Sequence, residues 1–417
     1  MSSTEHQTIV VIGLSGAGLK TINLLLDRLY HHSGQSKTTN QSIRLIAIEK
    51  ANYAYWPPGS LRASVVDGFE DKIVRSFDYI IPQKIKDKHP ELVKVFTGTE
   101  VVDLDLKDRF IVLDKSLDGV QVEAGNKLAF DYLVIASGSS YAFPCRPPPE
   151  AERPEELKAQ LRSLQEQVRE SQSILVVGAG AVGIELAGEI SSQHKDKSIT
   201  LVCSTPSLLP DMNPKLGSSL KQQLDQRKVK VIYGSKANLA EHGISKTGKL
   251  EKLTKIALIP SDDGKSAKDA IEADFVFLAI GNKPNTKFVP AEYLEPKSHL
   301  IKVNEHLQVV GEDSKPIEGV YGVGDAINFH ESKLYAALDG QAATVSKNLW
   351  IDIFDAKADK VAHKPLKDTI AIPLGPCGGA SEVFGFTFGL GPWATSLAKG
   401  YTLLLWMFNS LYPDKSR

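Results

Sequence analysis

Residues 8–18 read TIVVIGLSGAG and residues 173–183 read SILVVGAGAVG. Each joins an apolar, β-branched run (9–12 and 174–177) to a glycine-rich turn, and an amphipathic stretch follows: LKTINLLLDRL after the first, IELAGEI after the second. That is the order of a buried strand, a tight turn and a helix. The second turn carries Gly178, Gly180 and Gly183 at the spacing of a dinucleotide loop. In such a loop the first glycine turns the chain, the second lets phosphate approach the backbone, and the third lets helix pack on strand. The pyrophosphate then meets free N–H groups at the positive helix end. The first turn has Gly13 and Gly18 in the outer places but Ser15 in the middle, with Gly16 and Ala17 completing it. Serine is small and Gly16 keeps the loop compact, so this turn reads as a working nucleotide loop with one substitution.

A lone loop of this type is weak evidence, but each copy has the same closing element. DYLVIASG (131–138) and DFVFLAIG (274–281) share an Asp, an aromatic residue, an apolar strand and Ala-x-Gly, which places Ala136, Gly138 and Gly281 beside the loops. The acidic residue that grips an adenosine ribose is Glu49, at the end of IRLIAIE, with Lys50 after it. It comes later than usual because YHHSGQSKTTNQS (30–42) reads as a polar insertion, in which His31 and His32 are solvated. In the second copy SITLVCSTP (198–206) brings Cys203 to the same place. No carboxylate there rejects a 2′-phosphate and no arginine in the turn rewards one, so both NADH and NADPH are expected to serve.

The 417 residues, 42% hydrophobic, suffice for two or three domains. Lys plus Arg number 49 and Asp plus Glu 50, and so even a balance offers no field to hold nucleic acid. Cys145, Cys203 and Cys377 are far apart, so neither a dithiol, a zinc site nor a disulfide framework is expected, and the compartment reads as reducing and cytoplasmic. No metal site is expected. The first strand starts too near Met1 to leave room for a leader, and residue 2 is Ser rather than the glycine of a myristoylation signal. TLLLWMF (402–408) is far shorter than the ~20 residues that cross a bilayer.

Late in the chain, GVYGVGDAIN (319–328) is a strand ending in Gly-Asp. Its carboxylate, Asp325, suits the ribityl chain of a flavin. KLYAALDGQAATVSKNL (333–349) follows as a helix whose dipole points at the flavin. The expected fold is therefore α/β, with two Rossmann-like dinucleotide-binding domains, for FAD and NAD(P)H, plus a small C-terminal α+β region. Residues 1–150 and 284–348 form the FAD-binding domain, 151–172 a connecting helix, and 173–283 the NAD(P)H-binding domain. Residues 349–417 form a C-terminal strand pair and an apolar helix. In the connecting helix Leu157, Leu161, Leu164 and Val168 fall on one stripe, read as core.

These motifs carry a resemblance. The chain resembles the apoptosis-inducing-factor-like flavoproteins, most closely the ferroptosis-suppressor-type NAD(P)H:quinone oxidoreductases. The similar stretches are LRASVVDGF (61–69), FDYLVIASGS (130–139), LVVGAGAVGIELAGEI (175–190), VNEHLQV (303–309) and VYGVGDA (320–326), of which LRASV and VNEHLQV are the narrow ones. The resemblance implies an FAD-dependent oxidoreductase of the pyridine nucleotide-disulfide superfamily plan. It takes a hydride from NADH or NADPH and passes two electrons to an acceptor, above all a quinone. It implies that Arg62 and Val102 contact FAD, that Asp325 binds the flavin, that Lys333 lies beside it, and that Glu185 lies near the nicotinamide. In the apoptosis-inducing factor a lysine from the FAD domain pairs with that Glu. YWPPGSLRASV (55–65) contains none, so the resemblance supplies no partner for Glu185. The alternative it implies is a redox signalling or scaffold flavoprotein with slow turnover.

No nucleophile motif is present, and the missing dithiol argues against a disulfide reductase. TIAIPLGPCGGASEVFGFTFG (369–389) reads as two strands around a glycine-rich turn. WATSLAKGYTLLLWMFNSLY (393–412) reads as one apolar helix, packed on those strands or lying peripherally on a mitochondrial, lipid-droplet or other membrane surface. In the second case its removal should weaken liposome binding and spare soluble quinones. The expected assembly is a monomer or homodimer.

Overall fold

The computed structural model describes residues 6–33, 42–120, 122–261, 269–355, 357–367, 369–383, 386–387 and 391–415. The first half runs β1 (His6–Ile12), α1 (Gly16–Ser33), β2 (Ser42–Ile48), α2 (Pro57–Ala63), β3 (Val93–Phe96) and β4 (Tyr132–Ile135). Helix α3 (Pro154–Glu170) leads to β5 (Ser173–Val177), α4 (Ala181–Gln193), β6 (Ser198–Val202), β7 (Val229–Ile232), β8 (Ser235–Ala237), β9 (Gly248–Pro260) and β10 (Asp269–Leu278). The chain then adds β11 (Gln308–Val310), β12 (Pro316–Gly322) and α5 (Ala337–Phe354). It ends in β13 (Ile370–Pro373), β14 (Gly379–Val383), β15 (Phe386–Thr387) and α6 (Leu405–Leu411).

The strands form two six-stranded sheets, ordered β11-β12-β4-β1-β2-β3 and β7-β6-β5-β10-β9-β8. At the centre of each, three strands run parallel in matching register. Ile12 lies opposite Ile48 and Ile135, and Val177 lies opposite Val202 and Leu278. Such strands are covered on both faces, which is why they read as unbroken apolar runs rather than alternating ones. Ile9, Val10, Val11, Leu175 and Val176 have no exposed surface at all. The register makes Glu49 and Cys203 equivalent, each the residue after its strand.

Two links join the halves. One is α3, whose Leu157, Leu161, Leu164 and Val168 are all buried, as their spacing predicts. The other is a two-stranded ribbon in which Ser139 and Ser140 pair antiparallel with Pro284 and Lys283.

Four local readings are corrected. Helix α1 extends to Ser33, with Leu25, Leu26 and Leu29 on its buried stripe, so His31 and His32 belong to the helix. Residues 34–41 of the insertion lie outside the described residues. Helix α5 starts at Ala337, after a turn in which Ala337 N–H donates to Leu334 O, so Lys333 sits in the preceding loop. The C-terminal sheet has a third strand, β15.

Residues 393–412 are not one helix either. An α-turn over Pro392–Thr395, a π-turn over Ser396–Gly400 and α6 are separated by a break at Leu403 and Leu404, whose φ values are 48° and 58°. Side chains from elsewhere take the carbonyls a continuous helix needs there. The Trp56 indole N–H donates to Leu403 O (2.7 Å), and the Arg62 guanidinium donates to Gly400 O (2.6 Å) and Tyr401 O (3.2 Å).

Candidate active site

The two glycine turns are built alike where they meet their own sheets. A Cβ at Gly13 (φ +99°) would stand 2.3 Å from Ala136 O, and one at Gly178 (φ +104°) 2.6 Å from Ala279 O. A Cβ at Gly18 would meet Gly13 O at 1.9 Å, and one at Gly183 would meet Gly178 O at 1.8 Å. These four positions exclude a side chain because the chain itself fills the space. Ser15 and Gly180, the middle positions, are exposed, and a Cβ at Gly180 would touch nothing within 4 Å. That free approach is what a pyrophosphate requires.

Above the middle position the loops differ. Gly16 lies under the Tyr335 ring, 2.5 Å from where its Cβ would be, and the buried Ala17 abuts Gly324. The matching Ala181 and Val182 are half-exposed. Two buried polar atoms beside the first loop, Ser137 Oγ and Tyr335 Oη, have no hydrogen-bond partner among the described residues. Fixed backbone N–H groups, glycines that admit no Cβ and unpaired hydroxyls together fit a bound dinucleotide.

Glu49 reaches back to the first loop, where it accepts from Leu14 N–H (2.7 Å) and Ala51 N–H (2.9 Å). Burial pushes its pKa up, and those backbone bonds oppose the shift. The carbonyl of the same Leu14 accepts from Tyr412 Oη (2.7 Å), so the loop residue is held from both sides. Lys50 turns outward to Glu100 (2.7 Å). At the equivalent place in the second half, the buried Cys203 Sγ lies 3.1 Å from Thr205 Oγ1. Gly138 and Gly281 follow their strands with φ of 67° and 92°, and both face open space.

Asp325 stands in the turn after β12. Its Oδ2 accepts from Ser139 Oγ (2.8 Å) and Arg146 Nη2 (3.2 Å), while Oδ1 takes no bond among the described residues. Lys333 lies within electrostatic reach of Asp325 and donates to Ile327 O (2.6 Å); desolvation lowers its pKa from the ordinary lysine value. Val102 is 49% exposed at a bulge in a separate three-stranded sheet (Val101–Asp105, Phe110–Leu113, Lys127–Ala129). Thr99, three residues before it, donates its N–H to Glu49 O (3.0 Å).

Glu185 and Glu189 lie one turn apart on α4, and both are buried. Lys399, from the C-terminal segment, approaches Glu185 Oε1 at 2.6 Å. Burial raises the Glu185 pKa, and the Lys399 charge opposes that rise. Glu189 receives Arg62 bidentately, through Nε (2.9 Å) and Nη2 (2.7 Å). The Arg62 guanidinium is thus occupied by Glu189 and two backbone carbonyls. Sequence reasoning found Glu185 but not its partner, which is 214 residues away. The available signal was a single lysine inside an apolar run.

The C-terminal segment has two faces. Leu403, Phe408 and Tyr412 point into the core, where Phe408 stacks on Trp56 with ring centroids 5.3 Å apart. Trp393, Leu397, Tyr401 and Trp406 are 61%, 72%, 73% and 64% exposed. Among the described residues no helix is long and apolar enough to cross a membrane, and no cluster of His, Cys, Asp and Glu could hold a metal.

Comparison with known proteins agrees with this arrangement. The profile of the pyridine nucleotide-disulphide oxidoreductases matches residues 7–345. Apoptosis-inducing factor homolog A of Dictyostelium discoideum is 29% identical over 426 residues, covering 98% of this chain and 93% of its own. Ferroptosis suppressor protein 1 of Homo sapiens is 26% identical over 334 residues, covering 79% of each chain. The water-forming NADH oxidase of Lactobacillus brevis, solved bound to NADH, has a similar fold. Its TM-score is 0.60 at 17% identity, covering 87% of this chain and 72% of that one.

Proposed function

The chain belongs to the pyridine nucleotide-disulphide oxidoreductase family, and from that premise we propose that it is an FAD-dependent NAD(P)H:quinone oxidoreductase. The observation that carries the reading is the pair of equivalent loops, one covered at Gly16 and one open, with a Glu185–Lys399 ion pair at the second loop's helix. Bound FAD would supply the chemistry, as the acceptor of a hydride and the donor of two electrons. The chain supplies binding and charge. The loop from Gly13 to Gly18, with Glu49, would hold the adenosine diphosphate half of FAD, and the free Oδ1 of Asp325 its ribityl hydroxyls. The loop from Gly178 to Gly183 would hold the pyrophosphate of NADH or NADPH. Lys399 keeps a compensated carboxylate on α4 at the nicotinamide end. Residues 1–150 and 284–348 form the FAD domain in this reading, and 173–283 the NAD(P)H domain. A quinone fits better than a disulfide as acceptor, because the three cysteines are unpaired and Cys145 and Cys203 are buried. The similarity to the human ferroptosis suppressor supports the same reading.

Purified protein mixed with NADH or NADPH and a short-chain quinone tests the reading. Both nucleotides should drive turnover, with kcat/KM values within roughly tenfold, since small neutral groups at Cys203 and Thr205 separate them by about 1.4 kcal/mol at most. A hundredfold preference would place selectivity outside that turn. Turnover of neither would favour a slow signalling flavoprotein. Asp325→Ala should lose most of the flavin absorbance at 450 nm relative to protein, because the ribityl hydroxyls lose a charged acceptor. Full occupancy in that variant would displace Asp325 from the site.

The exposed face of the C-terminal segment is the surface we assign to peripheral membrane contact, which would bring a lipid quinone to the flavin. Trp393, Leu397, Tyr401 and Trp406 are all outward, so their joint replacement by serine should leave fold and flavin intact. Flotation with liposomes should then fall severalfold or more. Unchanged flotation would remove the membrane assignment without touching the chemistry.

A further inference from the structure

Gly324 joins the first nucleotide loop to the carboxylate beside it. Its φ is +86°, a Cβ there would stand 3.0 Å from Ala17 Cβ, and Asp325 is the next residue. Its N–H donates to Gln341 Oε1 (2.8 Å), from a side chain on α5 that is almost fully buried. An amide presents an acceptor and a donor end of nearly the same shape, so something must decide which end meets Gly324. Glu331 makes that choice. Its Oε2 accepts from Gln341 Nε2 (2.7 Å), and a carboxylate can only accept.

The chain of bonds continues outward. Glu331 Oε1 accepts from Leu366 N–H (2.5 Å), and Oε2 lies 3.1 Å from His363 Nε2. The Thr344 hydroxyl donates to Gly340 O (2.9 Å) and so receives His363 Nδ1 at 3.3 Å. The His363 and Glu331 side chains are 2% and 1% exposed. A buried network this complete is costly to assemble unless every member has its partner.

We propose that Gln341, oriented by the Glu331–His363 pair, is a positioning residue that sets Gly324, and through it Asp325, for FAD. The segment bearing His363 and Leu366 is then part of the flavin site although, among the described residues, it makes no hydrogen bond to either glycine loop. This rests on the FAD reading above.

Apoprotein titrated with FAD, read by quenching of flavin fluorescence, tests it. Gln341→Leu should weaken FAD binding about tenfold, the size of one lost buried hydrogen bond. Gln341→Glu keeps an acceptor for Gly324 but sets two carboxylates together. Its deficit relative to wild type should be large at pH 8 and mostly vanish at pH 5.5, when one shared proton replaces the amide donor. Glu331 is faced by the His363 ring and the Lys333 ammonium, so the wild type is measured at each pH. Lys360→Met is the control: Lys360 holds the same segment through Asp352 (2.5 Å) without reaching Gly324, and its FAD affinity should match wild type. Wild-type affinity in Gln341→Leu, a pH-independent deficit in Gln341→Glu, or an equal loss in Lys360→Met would each overturn the proposal. Wild-type protein that takes up no FAD would instead overturn the cofactor reading beneath it.

Discussion

Replacing Gly180 with valine is expected to abolish reduction by NAD(P)H while fold and flavin content stay those of the wild type. Gly180 has φ −71° and ψ −177°, an extended conformation that a β-branched residue adopts readily. A Cβ there meets nothing within 4 Å, so the free protein bears no strain. Only a ligand's pyrophosphate would collide with the isopropyl group. The expected result is a loss of kcat/KM of more than a hundredfold for both nucleotides, with an unchanged flavin spectrum. Gly183→Val would be uninformative, because a Cβ there meets Gly178 O at 1.8 Å and the sheet–helix packing would fail first. Equal loss of flavin from the Gly180 variant would mean the ligands of the two loops are exchanged.

A chain ending at residue 391 is expected to lose its flavin and its native fold, not merely a membrane contact. Deletion removes the buried Leu403, Phe408 and Tyr412, worth about 2 kcal/mol each as apolar burial. It also takes Lys399 away from Glu185. The lost apolar burial alone, roughly 6 kcal/mol, falls within the whole stability of an ordinary domain, about 5–15 kcal/mol. Tyr412 is also the donor that fixes Leu14 in the first glycine loop. Far-UV circular dichroism melts and the absorbance ratio at 450 nm would record the loss. A yellow truncated protein with an unchanged melting temperature would show that the segment is dispensable. Sparing of soluble quinones is expected only for a helix lying on a membrane surface; the buried Leu403, Phe408 and Tyr412 favour the packed alternative, for which truncation unfolds the protein.

Much of the fold was legible because central parallel strands and tight glycine turns have few chemical solutions. The doubled strand–turn–helix pattern, Glu49 and Asp325 all lie within or just after such strands, and local sequence defines them. The C-terminal segment was misread for the opposite reason. Its apolar run is uniform enough to look like one helix, and what breaks it is Trp56 and Arg62, more than 300 residues away. The partner of Glu185 was hidden in the same way. Arg62, expected to touch FAD, occupies its guanidinium with Glu189 and backbone carbonyls, and no pattern near residue 62 signals that. Charge pairs between remote elements leave no periodic trace in a sequence.

The covering of one glycine turn and not the other has a kinetic consequence. Tyr335, packed over Gly16, and the Tyr412 tether to Leu14 add contacts at the first turn that the second turn does not repeat. A molecule lying along the first turn is therefore expected to leave more slowly, its residence time depending on opening of the protein as well as on its own contacts. A molecule on the second turn meets open space at Gly180 and a half-exposed Val182, and it can come and go without rearranging the chain. Two turns of nearly the same composition are thus expected to hold their occupants for different times, which a comparison of flavin and nucleotide release rates would show. That division comes from the Tyr335 ring laid over one turn, and Gly16 makes room for it where the second turn carries Ala181.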